Sequence, residues 1–163
     1  MMNENKKTLM LGLGNPILTD DAIGIKVVEE LERRFGTDNG YDYCTGSFGG
    51  FHIVDEIRGY DRAVIVDSII RGGEVGTVYK LTLHDLDGTV RLASPHRVNL
   101  PGAIALAKKI EDNIPDDITI YAIEVDELTV FSTRLSPKLQ DCFPEIVNKI
   151  IDYEMGGNND RSE

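Results

Sequence analysis

The run Gly12-Leu13-Gly14-Asn15-Pro16-Ile17-Leu18-Thr19-Asp20-Asp21-Ala22-Ile23-Gly24 constrains the rest of the chain most. It follows an apolar stretch, Thr8 to Leu11, that reads as a short buried strand. It precedes Ile23, Val27, Leu31 and Phe35, with Val28 beside them, the spacing of one helix face. The run is therefore a strand-to-helix turn. Its glycines allow a tight bend or a close approach. Asp20 and Asp21 fall at the start of the helix. Carboxylates there accept free N–H groups and face the positive end of the helix dipole. A cap needs one acceptor, and Thr19 can also supply it, so a carboxylate beyond the cap is open to bind something else. In an open α/β sheet, ligands bind at the carboxyl ends of strands, where such turns lie.

The later segments repeat the strand–helix alternation. Tyr41 to Thr45 reads as a second strand, and Gly46-Ser47-Phe48-Gly49-Gly50 as a loop at its carboxyl end. That loop either admits a ligand or an extended peptide close to the backbone or is a plain strand–helix connection. Phe51 to Arg58 makes a short helix. Ala63-Val64-Ile65-Val66-Asp67 is a strand buried on both faces, as at the centre of a parallel sheet, and it is expected to end in Asp67. A carboxylate there needs hydrogen bonds or a cation, and the N–H groups of the next loop can serve. Val75 to Leu83 alternates polar and apolar residues, the pattern of a half-exposed edge strand, and His84 beyond it is expected in solvent. Ser94-Pro95-His96 leads into a helix from Asn99 or Leu100 to Ile110. Ile118 to Ile123 is a fifth strand ending in Glu124, and Ser136-Pro137 opens the last helix.

The expected fold is a single α/β domain. It has a mostly parallel, five-stranded twisted sheet, helices on both faces, and one edge strand that can run antiparallel. Residues 1–155 form the domain, and 156–163 form a polar tail expected to be disordered. The chain has 163 residues, 41% of them hydrophobic, enough for one real core. No apolar run is long enough to span a bilayer. Met1 to Lys7 is polar, and the apolar run behind it is too short for a signal peptide, so a cytoplasmic protein without a membrane partner is expected. Cys44 and Cys142 form no CxxC pattern and read as reduced thiols. A net charge of −11 argues against a nucleic-acid partner.

Asp21, Asp67 and His96 each lie in a loop or helix start that follows a strand, and such loops converge at one edge of a doubly wound sheet. Two carboxylates and an imidazole suit a divalent transition metal with open positions. The sequence here resembles the hydrogenase maturation endopeptidases. The resemblance rests on Gly12-Leu13-Gly14-Asn15 with Asp20-Asp21-Ala22-Ile23-Gly24, and on Val66-Asp67-Ser68, where the family often has alanine after the aspartate. Ser94-Pro95-His96 and Leu135-Ser136-Pro137 extend it over nearly the whole chain.

The resemblance implies an endopeptidase that removes the C-terminal extension of a [NiFe]-hydrogenase large-subunit precursor. Nickel is supplied by the substrate, with Asp21, Asp67 and His96 as its contacts on the protease side and as the catalytic groups. Zn or Cd can occupy that place in vitro. The family's Gly-rich loop matches Gly46 to Gly50, which makes Gly46, Ser47, Phe48, Gly49 and Gly50 the substrate-binding candidates. A monomer is expected.

Three other readings compete. A dinucleotide-binding oxidoreductase would need a third glycine, positive potential and a ribose-binding acid; the chain has Pro16, two acids, and Tyr43-Cys44-Thr45 at the end of its second strand. A peptidyl-tRNA-hydrolase-like esterase shares Gly12 to Pro16, but its resemblance stops at Ile17. A metal- or partner-binding module without proteolysis would use the same three residues.

Overall fold

The computed structural model describes residues 6–37, 39–86, 99–126 and 130–156. Among the described residues, five strands form one sheet: β1 (Thr8–Leu13), β2 (Tyr41–Gly46), β3 (Arg62–Ile69), β4 (Val78–Leu81) and β5 (Asp117–Glu124). The α-helices described are α1 (Ile23–Phe35), α2 (Gly50–Ile57), α3 (Leu100–Ile110) and α4 (Pro137–Met155). The spatial strand order is β2-β1-β3-β5-β4. All neighbours are parallel except β4, which runs antiparallel to β5 at the sheet edge, with Tyr79 opposite Ala122. The alternation of Val75 to Leu83 therefore marks an edge strand, though only Val78–Leu81 pairs.

Period two in the strands splits the core in two. Leu9, Leu11, Ala63, Ile65, Ile118 and Ile120 face α2 and α3, where they meet Ile53, Ile57, Leu100 and Ile104. Met10, Val64, Val66, Tyr121 and Ile123 face α1 and α4, where they meet Ile23, Val27, Leu31, Leu139 and Ile146. β1, β3 and β5 are covered on both faces, hence their unbroken apolar runs.

From β1 the chain turns one way to reach β2 and then crosses to β3 on the other side of β1. The β1–β3 boundary is the topological switch point, where crevices open at the carboxyl edge of such sheets. Two glycines let α1 lie close to this boundary. A Cβ on Gly24 would overlap the carbonyls of Val66 and Leu13, and one on Gly14 would overlap the Asp21 carbonyl.

The structure corrects two boundaries. β3 does not end in Asp67 but continues to Ile69, with Asp67 opposite Ala122 and Ile69 opposite Glu124. Asp20 and Asp21 sit not in α1 but in a 3-10 turn, Thr19–Ala22, that precedes it. Residues 157–163 of the expected tail lie outside the described residues.

Candidate active site

The β1–β3 ladder stops at Gly12 opposite Val66, one residue before Asp67. Asp21 and Asp67 reach the boundary from its two sides, and both are buried. Ser68 links them. Its N–H donates to Asp67 Oδ1 at 2.8 Å, and its hydroxyl donates to Asp21 Oδ1 at 2.9 Å. The Asn15 N–H donates to Asp21 Oδ2 at 2.9 Å. Strand alternation puts Ser68 on the α1 side of β3, so the two neighbouring residues serve opposite faces. These bonds fix both carboxylates in orientation. The role foreseen for the N–H after Asp67, that of a loop donor, is met by Ser68 within the strand.

Asp20 has a different job. It does not cap its own turn. Its Oδ1 accepts the Ser136 N–H and its Oδ2 the Ser136 hydroxyl, both at 2.7 Å. Ser136 is the N-cap residue of α4. Asp20 thus fastens α4 to the turn that carries Asp21. The adjacent backbone is tied down as well. Leu18 pairs with Ser132 in an isolated bridge, the Thr19 N–H donates to the Ser132 carbonyl at 3.1 Å, and the Ser132 N–H donates to the Ile17 carbonyl at 2.9 Å. The Thr19 hydroxyl donates to the Val130 carbonyl. Thr19 has φ +41°, a left-handed conformation costly for a β-branched residue, and these bonds hold it there.

Glu124, at the carboxyl end of β5, is also buried. It accepts the N–H of Arg71 at 2.9 Å and that of Gly73, and so shapes the loop after β3. At the end of β2, a Cβ on Gly46 would overlap the Phe48 ring of the loop that follows. Phe48 in turn packs on His52, with ring centroids 4.3 Å apart, while Ser47 is exposed. Gly49 is the N-cap residue of α2, which Gly50 begins. His84 is exposed, as expected. His96 lies outside the described residues, and among those described no group of three His, Cys, Asp or Glu side chains could hold a metal ion.

Fold and site together define an α/β protein with two buried, hydrogen-bonded carboxylates beside the switch point of its sheet, the place where ligands bind in open α/β folds. Similar proteins narrow that class. A hydrogenase expression/formation protein of Thiocapsa roseopersicina is 23% identical over 154 residues, covering 93% of this chain and 69% of its own. The hydrogenase 2 maturation protease of Escherichia coli is 27% identical over 124 residues, covering 75% of each. Among solved structures, the hydrogenase maturating endopeptidase HybD of E. coli superposes with TM-score 0.78 at 22% identity, covering 93% of both chains. The [NiFe] hydrogenase maturation protease HybD of Thermococcus kodakarensis gives TM-score 0.72 at 21% identity, covering 90% of this chain and 98% of its own. Residues 25–153 match the profile of the hydrogenase maturation protease family, and the chain belongs to that family of endopeptidases. The dinucleotide-binding, esterase and non-proteolytic readings find no support among these relatives.

Proposed function

We propose that this endopeptidase removes the C-terminal extension of a [NiFe]-hydrogenase large-subunit precursor that already carries nickel, with Asp21, Asp67 and His96 completing the nickel coordination from the protease side. The observation that supports this most is the pair of buried carboxylates brought from β3 and from the turn after β1, and held in register by Ser68. One acid from β3, one from the turn after β1 and one imidazole make an incomplete metal site, as expected when the metal arrives with the substrate. A cation bound there can polarise the scissile carbonyl or activate a water, and a carboxylate beside it can take the proton. Gly46 to Gly50 would lie along the extended tail.

On this reading the isolated tail offers little differential binding in the transition state. The test is to incubate the protein with the tail peptide, with nickel-free precursor and with nickel-loaded precursor. Only the last is expected to be cut. Efficient, chelator-insensitive cleavage of the peptide would reveal an ordinary protease instead. A crystal soaked in Zn²⁺ or Cd²⁺ is expected to show the ion at Asp21, Asp67 and His96.

A further inference from the structure

Exposed apolar side chains gather at the carboxyl edge of the sheet. Among the described residues, five of the nine exposed large hydrophobics follow the strand ends there: Ile17, Phe51, Ile70, Val130 and Phe131. Three of them lie on two segments that are hydrogen-bonded side by side. Ile17 is 53% exposed, Val130 51% and Phe131 77%. Single exposed hydrophobics are ordinary, but a contiguous group marks an interaction surface.

This group cannot fold inward. The two backbone bonds of the Leu18–Ser132 bridge and the Thr19 hydroxyl bond hold segments 17–19 and 130–132 together as a short two-stranded ribbon. Asp20 clamps the same ribbon to the start of α4 through Ser136. The chain accepts a left-handed threonine to hold this arrangement. A rigid loop that displays apolar chains is preorganised for contact, and preorganisation lowers the cost of binding.

We propose that this ribbon is the docking surface for an apolar face of the folded hydrogenase large subunit, which seats there while its nickel and tail enter the site. The inference rests on the function proposed above. The ribbon runs without a break into the site, since Ile17, Leu18 and Thr19 are followed directly by Asp20 and Asp21. A body that presents a group to Asp21 therefore meets the ribbon. A second copy of this chain is the poorer occupant, because a net charge of −11 on each copy opposes self-association.

The test compares wild type, an Ile17→Ser/Phe131→Ser double variant, and a Phe35→Ser/Ile110→Ser control. Phe35 and Ile110 are exposed at the last turns of α1 and α3, at the opposite edge. Binding of nickel-loaded precursor is titrated on an immobilised surface, and cleavage is followed by gel shift on the same samples. Thermal melts check that all three proteins fold. The ribbon variant is expected to bind roughly tenfold more weakly or worse and to cut with raised KM but near-normal kcat at saturation. The control is expected to match wild type. Binding by the ribbon variant within twofold of wild type overturns the proposal, as does loss of a self-association with precursor binding intact. Wild type that binds but does not cut sinks the proposed proteolysis alone, and the docking surface is then judged on the variants' binding. Wild type that neither binds nor cuts sinks both.

Discussion

The two edges of the sheet treat their buried acids differently. At the amino edge, Glu154 from the last turn of α4 is enclosed by donors from three strands. Arg62 donates to it twice, at 2.5 and 2.8 Å, Tyr41 donates at 2.9 Å, and the Tyr121 hydroxyl adds a third partner. Arg62 also donates to the Thr119 hydroxyl at 3.0 Å. The charge is balanced by a guanidinium within the chain. At the carboxyl edge, Asp21 and Asp67 are oriented by an N–H or hydroxyl of Asn15 and Ser68, neutral donors, on a turn with a left-handed threonine. The first arrangement fastens a helix to the sheet. The second fixes two carboxylates beside the switch point of the sheet, where the proposed function places the substrate.

The ionisation of the amino-edge groups carries the same message. Burial pushes the Glu154 carboxyl up, but the bonds from Arg62 and Tyr121 outweigh it and hold it below the usual range. Burial, then the Glu154 charge, raises the Tyr41 phenol to about 12. A carboxyl depressed in the folded state stabilises the fold above its unfolded value and loses that contribution as pH falls through its folded value. Stability is therefore expected to drop below about pH 4.5 as this edge protonates, and Glu154→Gln is expected to flatten that part of the curve.

The largest expected effect is on stability at the amino edge. Glu154→Gln removes the close charge partner of the Arg62 guanidinium, leaving it the longer contact to Asp117, and is expected to cost about 3 kcal/mol. For a domain this size that is a fall in Tm of roughly 6–12 °C, read by calorimetry. The next is on activity at the carboxyl edge. Asp67→Asn preserves shape, so the fold is expected to stand, while precursor processing falls about a hundredfold, or about 2.7 kcal/mol in the barrier. Ser68→Ala comes third. It removes one hydroxyl bond to Asp21, worth about 1 kcal/mol, and should slow processing about fivefold, with Ser68→Thr restoring part of the loss. The smallest belongs to neither edge. Arg33→Ala breaks an exposed pair with Glu30 on α1 and should leave both Tm and processing unchanged within error.

The fold was legible because its signals are local. Four apolar residues from Ala63 to Val66 point to a covered strand, and Pro137 after Ser136 to the opening of a helix. The length of β3 was not, since Ser68 reads as the first polar residue of a loop. Only the structure shows that its hydroxyl is consumed by Asp21. That Asp21 and Asp67 both lie at the carboxyl edge of the sheet was legible from the strands that precede or carry them, but the division of labour between Asp20 and Asp21 was not. Asp20 and Asp21 are neighbours, yet the partner that makes Asp20 structural lies 116 residues away at Ser136, and no local pattern announces such a pairing. The Arg62–Glu154 clamp escaped for the same reason, with 92 residues between its partners. The third residue of the expected site, His96, lies outside the described residues.

The division between the edges is tested most directly by measuring processing of nickel-loaded precursor per folded molecule for Asp67→Asn and Glu154→Gln side by side, below the Tm of both. Asp67→Asn is expected to be folded and nearly inert, and Glu154→Gln to melt early yet cut at close to the wild-type rate while folded. Normal cutting by Asp67→Asn, or loss of cutting by folded Glu154→Gln, would contradict the assignment of catalysis to the carboxyl edge.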